Sequence, residues 1–167
     1  MDIELLKIIL RRNRRMISRI ELIKRDIQLE ENFNYVFVGM RQAGKSYLMY
    51  QRIHQLLDAG HTIDEIVYLN LDDERLFGMT VADLDLILQA HYQISDCTPI
   101  LFLDEIQNID HWEHFARRLA NEKYRVYITG SNAKMLSSEV ATTLGGRYMI
   151  QEVYPYSFQE YLRANKL

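Results

Sequence analysis

Gly39-Met40-Arg41-Gln42-Ala43-Gly44-Lys45-Ser46 matches the pattern G-x-x-x-x-G-K-[ST] without gap or mismatch. The spacing has a mechanical reading. Glycines let the backbone curl closely around a polyphosphate, successive N–H groups point at its oxygens, the lysine reaches the outer phosphates and the hydroxyl ligates Mg²⁺. Flanking sequence supplies the context. Tyr35-Val36-Phe37-Val38 is a short apolar run that predicts a strand leading into the loop. Met49, Ile53, Leu56 and Leu57 recur at helical spacing until Gly60, a stop signal. The helix N-terminus then adds partial positive charge to the loop. Gly39, Met40, Arg41, Gln42, Ala43, Gly44, Lys45, Ser46 and Tyr47 are the candidate nucleotide-binding residues.

Working outward, the chain reads as alternating short apolar strands and helices. Strands are predicted at 35–38, 66–70, 100–103, 126–129 and 148–153. Thr80 with Asp83 predicts a capped helix through about Tyr92. Asp110 is placed to cap a helix carrying Trp112, Phe115, Ala116 and Leu119 on one face, and Ser157 with Glu160 to cap a last one. Such alternation predicts a parallel sheet covered on both faces, with ligand chemistry at the edge where its strands end. All the motifs of interest are expected at that edge.

Ile100-Leu101-Phe102-Leu103-Asp104-Glu105 is an apolar strand that stops in two carboxylates. Burying charge is costly unless it is paired or bound to metal. Beside a phosphate loop, Asp104 together with Ser46 can hold Mg²⁺. Glu105, one residue on, points elsewhere and can orient or deprotonate a water attacking the terminal phosphate. Tyr127-Ile128-Thr129-Gly130-Ser131-Asn132 repeats the pattern of a strand ending in small polar residues. Thr129, Ser131 and Asn132 each have the chemistry to hydrogen-bond that water or phosphate, with Ser131 the first choice. An ordinary turn with an Asn cap is the plain alternative.

The loop with Arg41 at its third position, Leu103-Asp104-Glu105-Ile106-Gln107 and Ile128-Thr129-Gly130-Ser131-Asn132 together resemble a prokaryotic AAA-type P-loop ATPase family. Leu144-Gly145-Gly146-Arg147-Tyr148 and Tyr154-Pro155-Tyr156-Ser157-Phe158-Gln159-Glu160-Tyr161 extend the likeness. The resemblance runs from about Arg25 to Leu167 and implies an α/β fold, its five-stranded parallel sheet ordered 5-1-4-3-2. It also implies ATP and Mg²⁺ as ligands, a catalytic set of Glu105, Lys45, Ser131 and Arg147, and a C-terminal domain beyond this chain. Arg147 would stabilise charge on the transferring phosphoryl group in cis or across a subunit interface; a structural ion pair is its other reading. Two readings of function stand beside the ATPase: a nucleotide-dependent switch or scaffold, and a phosphotransferase.

Composition narrows the setting. The 167 residues are 48% hydrophobic and 26% charged, as in an ordinary globular domain. One cysteine, Cys97, excludes an intrachain disulfide, and no cluster has zinc spacing. No apolar run approaches a membrane span, so a cytoplasmic location is expected. The net charge of −3 is uneven: residues 1–25 carry eight of the 20 basic side chains and three of the 23 acidic ones. That stretch, +5 against −8 for the remainder, is predicted as a basic amphipathic helical segment over 1–24 preceding the ATPase domain at 25–167. Its stripe of Leu5, Leu6, Ile9, Leu10, Ile17 and Ile20 needs burial, most simply on its own domain. Nucleic acid is therefore not the expected partner.

Overall fold

Strands β1 (Asn34–Val38), β2 (Ile66–Asn70), β3 (Ile100–Asp104), β4 (Arg125–Gly130) and β5 (Tyr148–Glu152) form one sheet in a computed structural model that describes residues 1–131, 135 and 137–167. The order is β2-β3-β4-β1-β5 with every neighbouring pair parallel, as expected. Helices α1 (Ile3–Arg19), α2 (Lys45–Asp58), α3 (Asp85–Ile94), α4 (Trp112–Asn121), α5 (Ser138–Leu144) and α6 (Phe158–Ala164) surround it. None among the described residues is long and apolar enough to cross a membrane.

Because successive strand side chains point to opposite faces, each strand feeds two cores. Val36, Val38, Val67, Leu69, Leu101, Leu103, Val126 and Ile128 meet Trp112, Phe115 and Leu119 of α4 in an aliphatic layer. Tyr35, Phe37, Tyr68, Phe102 and Tyr127 meet Leu48, Met49 and Ile53 of α2 on the other side. Here aromatic rings pack across strands, with Phe102 and Tyr127 stacked at 4.6 Å between centroids. Burial on both faces explains why β1 to β4 read as continuous apolar runs.

Helix α1 is opened by Asp2, whose carboxylate accepts the Glu4 N–H at 2.9 Å. It lies along the outer edge of β2. Leu6, Ile9 and Leu10 enter the aliphatic core and Ile17 the aromatic one. Its polar side chains serve the strand's free backbone: Asn13 Nδ2 donates to Tyr68 O at 2.7 Å and Arg14 Nε to Ile66 O at 2.9 Å. Arg14 also donates through Nη2 to Nδ1 of the buried His91. That nitrogen must then be the acceptor, so the imidazole donates through Nε2 to Cys97 O. Burial pushes the His91 pKa down, in keeping with a neutral ring.

Three local expectations need correction. The Thr80/Asp83 capping box closes a single 3₁₀ turn, Val81–Asp83, and α3 starts separately at Asp85. Asp110 does not cap α4; the chain enters through His111 in the left-handed conformation (φ 65°), without a side-chain cap bond. Strand β5 ends at Glu152 and, as an edge strand, leaves Met149 and Ile150 exposed. The Ser157/Glu160 box does open α6.

Ile9 is 1% exposed, so Ile9→Ala is expected to lower the unfolding free energy by about 2–5 kcal/mol, as for a core cavity. Urea denaturation followed by circular dichroism measures it. A loss within about 0.5 kcal/mol, as for a surface change, would mean that α1 is peripheral to the core.

Candidate functional site

At the edge where the strands end, β1 runs through Gly39 into α2. Two glycines meet a steric need there. A Cβ on Gly39 would lie 2.3 Å from Val153 O, and Gly44, at φ 91°, takes a left-handed conformation as it caps α2. Lys45 is only 4% exposed, and its ammonium donates to Gly39 O and Met40 O at 2.8 Å each. Burial pushes its pKa down, the Glu105 and Asp104 carboxylates push it back up, and Arg41 adds to the lowering. The side chain therefore arches over the loop, its charge held where polyphosphate oxygens would approach. Met40, Arg41, Gln42 and Tyr47 are exposed, while Ala43 is buried.

The carboxylate of Asp104 is fully buried and receives three hydroxyl donors. Ser46 Oγ donates to Oδ2 at 2.6 Å, Tyr68 Oη to the same oxygen and Thr129 Oγ1 to Oδ1. Burial, reinforced by the adjacent Asp104 charge, pushes the Tyr68 pKa far up, so this phenol stays a donor. Thr129 Oγ1 in turn accepts the Glu105 N–H at 2.9 Å. Glu105 itself adopts left-handed dihedrals (φ 55°, ψ 46°), a conformation uncommon outside glycine. That twist turns its side chain away from Asp104. Ser131 Oγ donates to Glu105 Oε2 at 3.1 Å, and Gln107 Nε2 donates to the same oxygen at 2.6 Å. Gln107 Oε1 is buried without a hydrogen-bond partner among the described residues.

The fold thus gathers Gly39–Ser46, Asp104, Glu105, Thr129 and Ser131 at one edge. Thr129 and Ser131 divide the two carboxylates between them; Asn132 lies outside the described residues. Arg147 is elsewhere. It precedes β5, at the opposite end of the strands, and donates to Asn121 Oδ1 at 2.6 Å and Leu144 O at 3.3 Å. There it lines a cleft of about 600 Å³ with Asn34, Pro99, Tyr124 and Arg125. Five residues of strand, roughly 16 Å at 3.3 Å each, separate it from the loop edge, so it does not meet this phosphate loop. The expectation that every motif shares one edge fails for this residue, because it precedes a strand rather than follows one. Asp73, in the acidic turn after β2, pairs with Arg75 at 2.6 Å.

Two site residues escaped the sequence reading. Tyr68 lies within the predicted strand 66–70 with no role attached, and its partnership with Asp104 depends on β2 lying beside β3. Gln107 sat within a quoted motif with no role attached. The donor set fits a hard divalent cation. Ser46 and Asp104 offer hydroxyl and carboxylate oxygens 2.6 Å apart, the all-oxygen ligation that Mg²⁺ prefers.

Comparison with known proteins bears on the family and the fold. The sequence pattern of a family described as an AAA domain matches residues 31–162. An uncharacterized protein of Methanocaldococcus jannaschii is 37% identical over 153 residues, 90% of this chain and 33% of that protein. An uncharacterized Haemophilus influenzae protein is 34% identical over 155 residues, 91% of this chain and 39% of its own. The chain therefore spans between a third and two fifths of these relatives' length. Among solved structures, Saccharomyces cerevisiae Hsp104 in its ADP complex superposes with a TM-score of 0.59 at 17% identity, covering 96% of this chain and 23% of that one. AMPPCP-bound DnaA of Aquifex aeolicus gives 0.51 at 16%, covering 98% and 51%. These two show the shared fold. By the match over most of its length, the chain belongs to the AAA domain family, with the α/β fold of a P-loop ATPase domain.

Proposed function

We propose that this domain binds ATP with Mg²⁺ and hydrolyses the terminal phosphate. The observation that carries the reading is the 2.6 Å contact between Ser46 and Asp104, with Glu105 turned aside toward Ser131. Metal-ligating oxygens and a separate carboxylate then flank the loop. Lys45 and the backbone N–H groups of Gly39–Ser46 bind the triphosphate. Ser46 and Asp104 would hold the Mg²⁺, which neutralises charge on the phosphates. Glu105 orients a water. The water oxygen attacks the γ-phosphorus, the bond to the β,γ-bridging oxygen breaks, and the water's proton passes to Glu105. Ser131, bonded to that carboxylate, is placed to feel the change. ATP is favoured over GTP because the solved neighbours carry ADP or an ATP analogue.

A second reading, a nucleotide-dependent switch with little turnover, has one observation in its favour. Gln107 and Ser131 both occupy Oε2 of Glu105, a grip that must loosen before this oxygen takes a proton. Arg147, whose own loop is out of reach, keeps two readings: action on a neighbouring subunit's site, or a structural role through its bonds to Asn121 and Leu144.

Lys45→Ala is expected to abolish binding of a fluorescent ATP analogue, followed by anisotropy, with circular dichroism unchanged. Unaltered affinity would remove the phosphate-loop reading. Glu105→Gln should retain binding while phosphate release falls by about 100-fold or more, as on losing a general base. Equal turnover by the two proteins would favour the switch. For Arg147, two variants inactive alone should recover activity when mixed: Lys45→Ala supplies the arginine and Arg147→Ala the intact loop. No recovery at any ratio would count against action in trans.

A further inference from the structure

Arg25 takes no part in the chemistry above, yet its guanidinium is 5% exposed and every nitrogen is engaged. Nη1 donates to Ala43 O of the phosphate loop at 2.8 Å, Nη2 to Tyr154 O and Nε to Glu160 Oε2 of α6 at 2.9 Å. Its carbon sits 4.8 Å from the centroid of the Tyr156 ring. Gln51 of α2 clasps its backbone, accepting the Arg25 N–H and donating to Arg25 O. Glu160 also accepts the Asp26 N–H through Oε2 and the Ser157 N–H through Oε1. Burial opposes charge on Glu160, but these N–H groups and the guanidinium outweigh it and bring its pKa down to about 2. Arg163 of α6 adds a bond to Lys24 O at 2.6 Å.

The consequence for the loop follows from the planar peptide. Ala43 C=O and Gly44 N–H lie on opposite sides of one rigid unit. Pinning the oxygen on Arg25 turns the N–H to the opposite side, where the nucleotide-binding reading puts the phosphates. The same cation holds α6. We propose that Arg25 is a positioning residue that couples nucleotide occupancy of the phosphate loop to docking of α6, so that each stabilises the other. Such coupling is reciprocal: movement of α6 alters nucleotide affinity, and nucleotide tightens α6. The proposal rests on the nucleotide-binding reading above.

Hydrogen–deuterium exchange of residues 157–164, with and without Mg²⁺ and the non-hydrolysable analogue AMPPCP, tests it alongside an anisotropy titration. In the wild type, nucleotide is expected to slow exchange in α6 several-fold. Glu160→Gln, which keeps the side chain's shape, should weaken nucleotide binding by about fivefold or more, in the usual range of such couplings. It should also abolish the response of α6. Arg25→Lys, which can keep one of the three bonds, should fall between the two proteins. Lys45→Ala should show wild-type exchange in α6 and no response to nucleotide. A merely structural pair would lower the melting temperature while leaving affinity and the nucleotide-dependent exchange as in the wild type, and that result overturns the coupling. Nucleotide binding by the wild type with no change in α6 overturns it as well. Absence of any binding by the wild type would instead sink the nucleotide reading, and the coupling with it.

Discussion

A single buried carboxylate organises this structure. Asp104 has no exposure to solvent, and a charge in that position is tolerable only if surrounding groups replace water. Hydroxyls from three directions do so: Tyr68 from β2, Thr129 from β4 and Ser46 from the first turn of α2. Each donor comes from a different element, so the demands of one side chain tie together two strand neighbours and the helix behind the phosphate loop. The register agrees, since Asn70 lies opposite Asp104 and Tyr68 two residues back shares its face. Shuffling the strands would strand the charge. The order β2-β3-β4 is thus a condition of burying the site's acid as well as a way of burying apolar surface.

Much of the fold and part of the site were readable in the chain. Apolar runs ending in Gly39, Asp104 and Thr129 located β1, β3 and β4 because buried parallel strands need no alternation and leave an unbroken signal. The phosphate loop was legible because its geometry constrains residue type at fixed spacing. The strand order came through family resemblance, since pairing partners leave little trace in a single sequence. What escaped was through-space: Tyr68 meeting Asp104, Gln107 meeting Glu105, and Arg25 reaching residues 43, 154 and 160. Arg147 was misplaced by treating every motif beside a strand alike, although preceding a strand and following it are opposite ends of the sheet. The α4 cap was misread because His111 takes a left-handed backbone that side-chain preference does not announce.

The two faces of the sheet also differ in kind. One is aliphatic and the other holds a cluster of rings that includes Tyr35, Phe37, Phe102 and Tyr127. Tyr127, buried in that cluster, accepts a bond from Arg52 Nε of α2 at 2.9 Å, and the guanidinium also approaches the ring face. Ring pairs of this kind add about 0.5–1.5 kcal/mol each beyond their buried area. The face that carries α2, and therefore the phosphate loop, is the aromatic one.

The edges of the sheet are equally unlike. Along β2, Asn13 and Arg14 of α1 occupy backbone carbonyls that a further strand would need. Along β5, Met149 and Ile150 are exposed, and among the described residues no helix side chain bonds the strand's backbone carbonyls. Among the described residues the sheet is thus capped at one margin and uncapped at the other. Because β5 is hydrogen-bonded directly to β1, any sixth strand joining there would stand two places from the strand that launches the nucleotide loop.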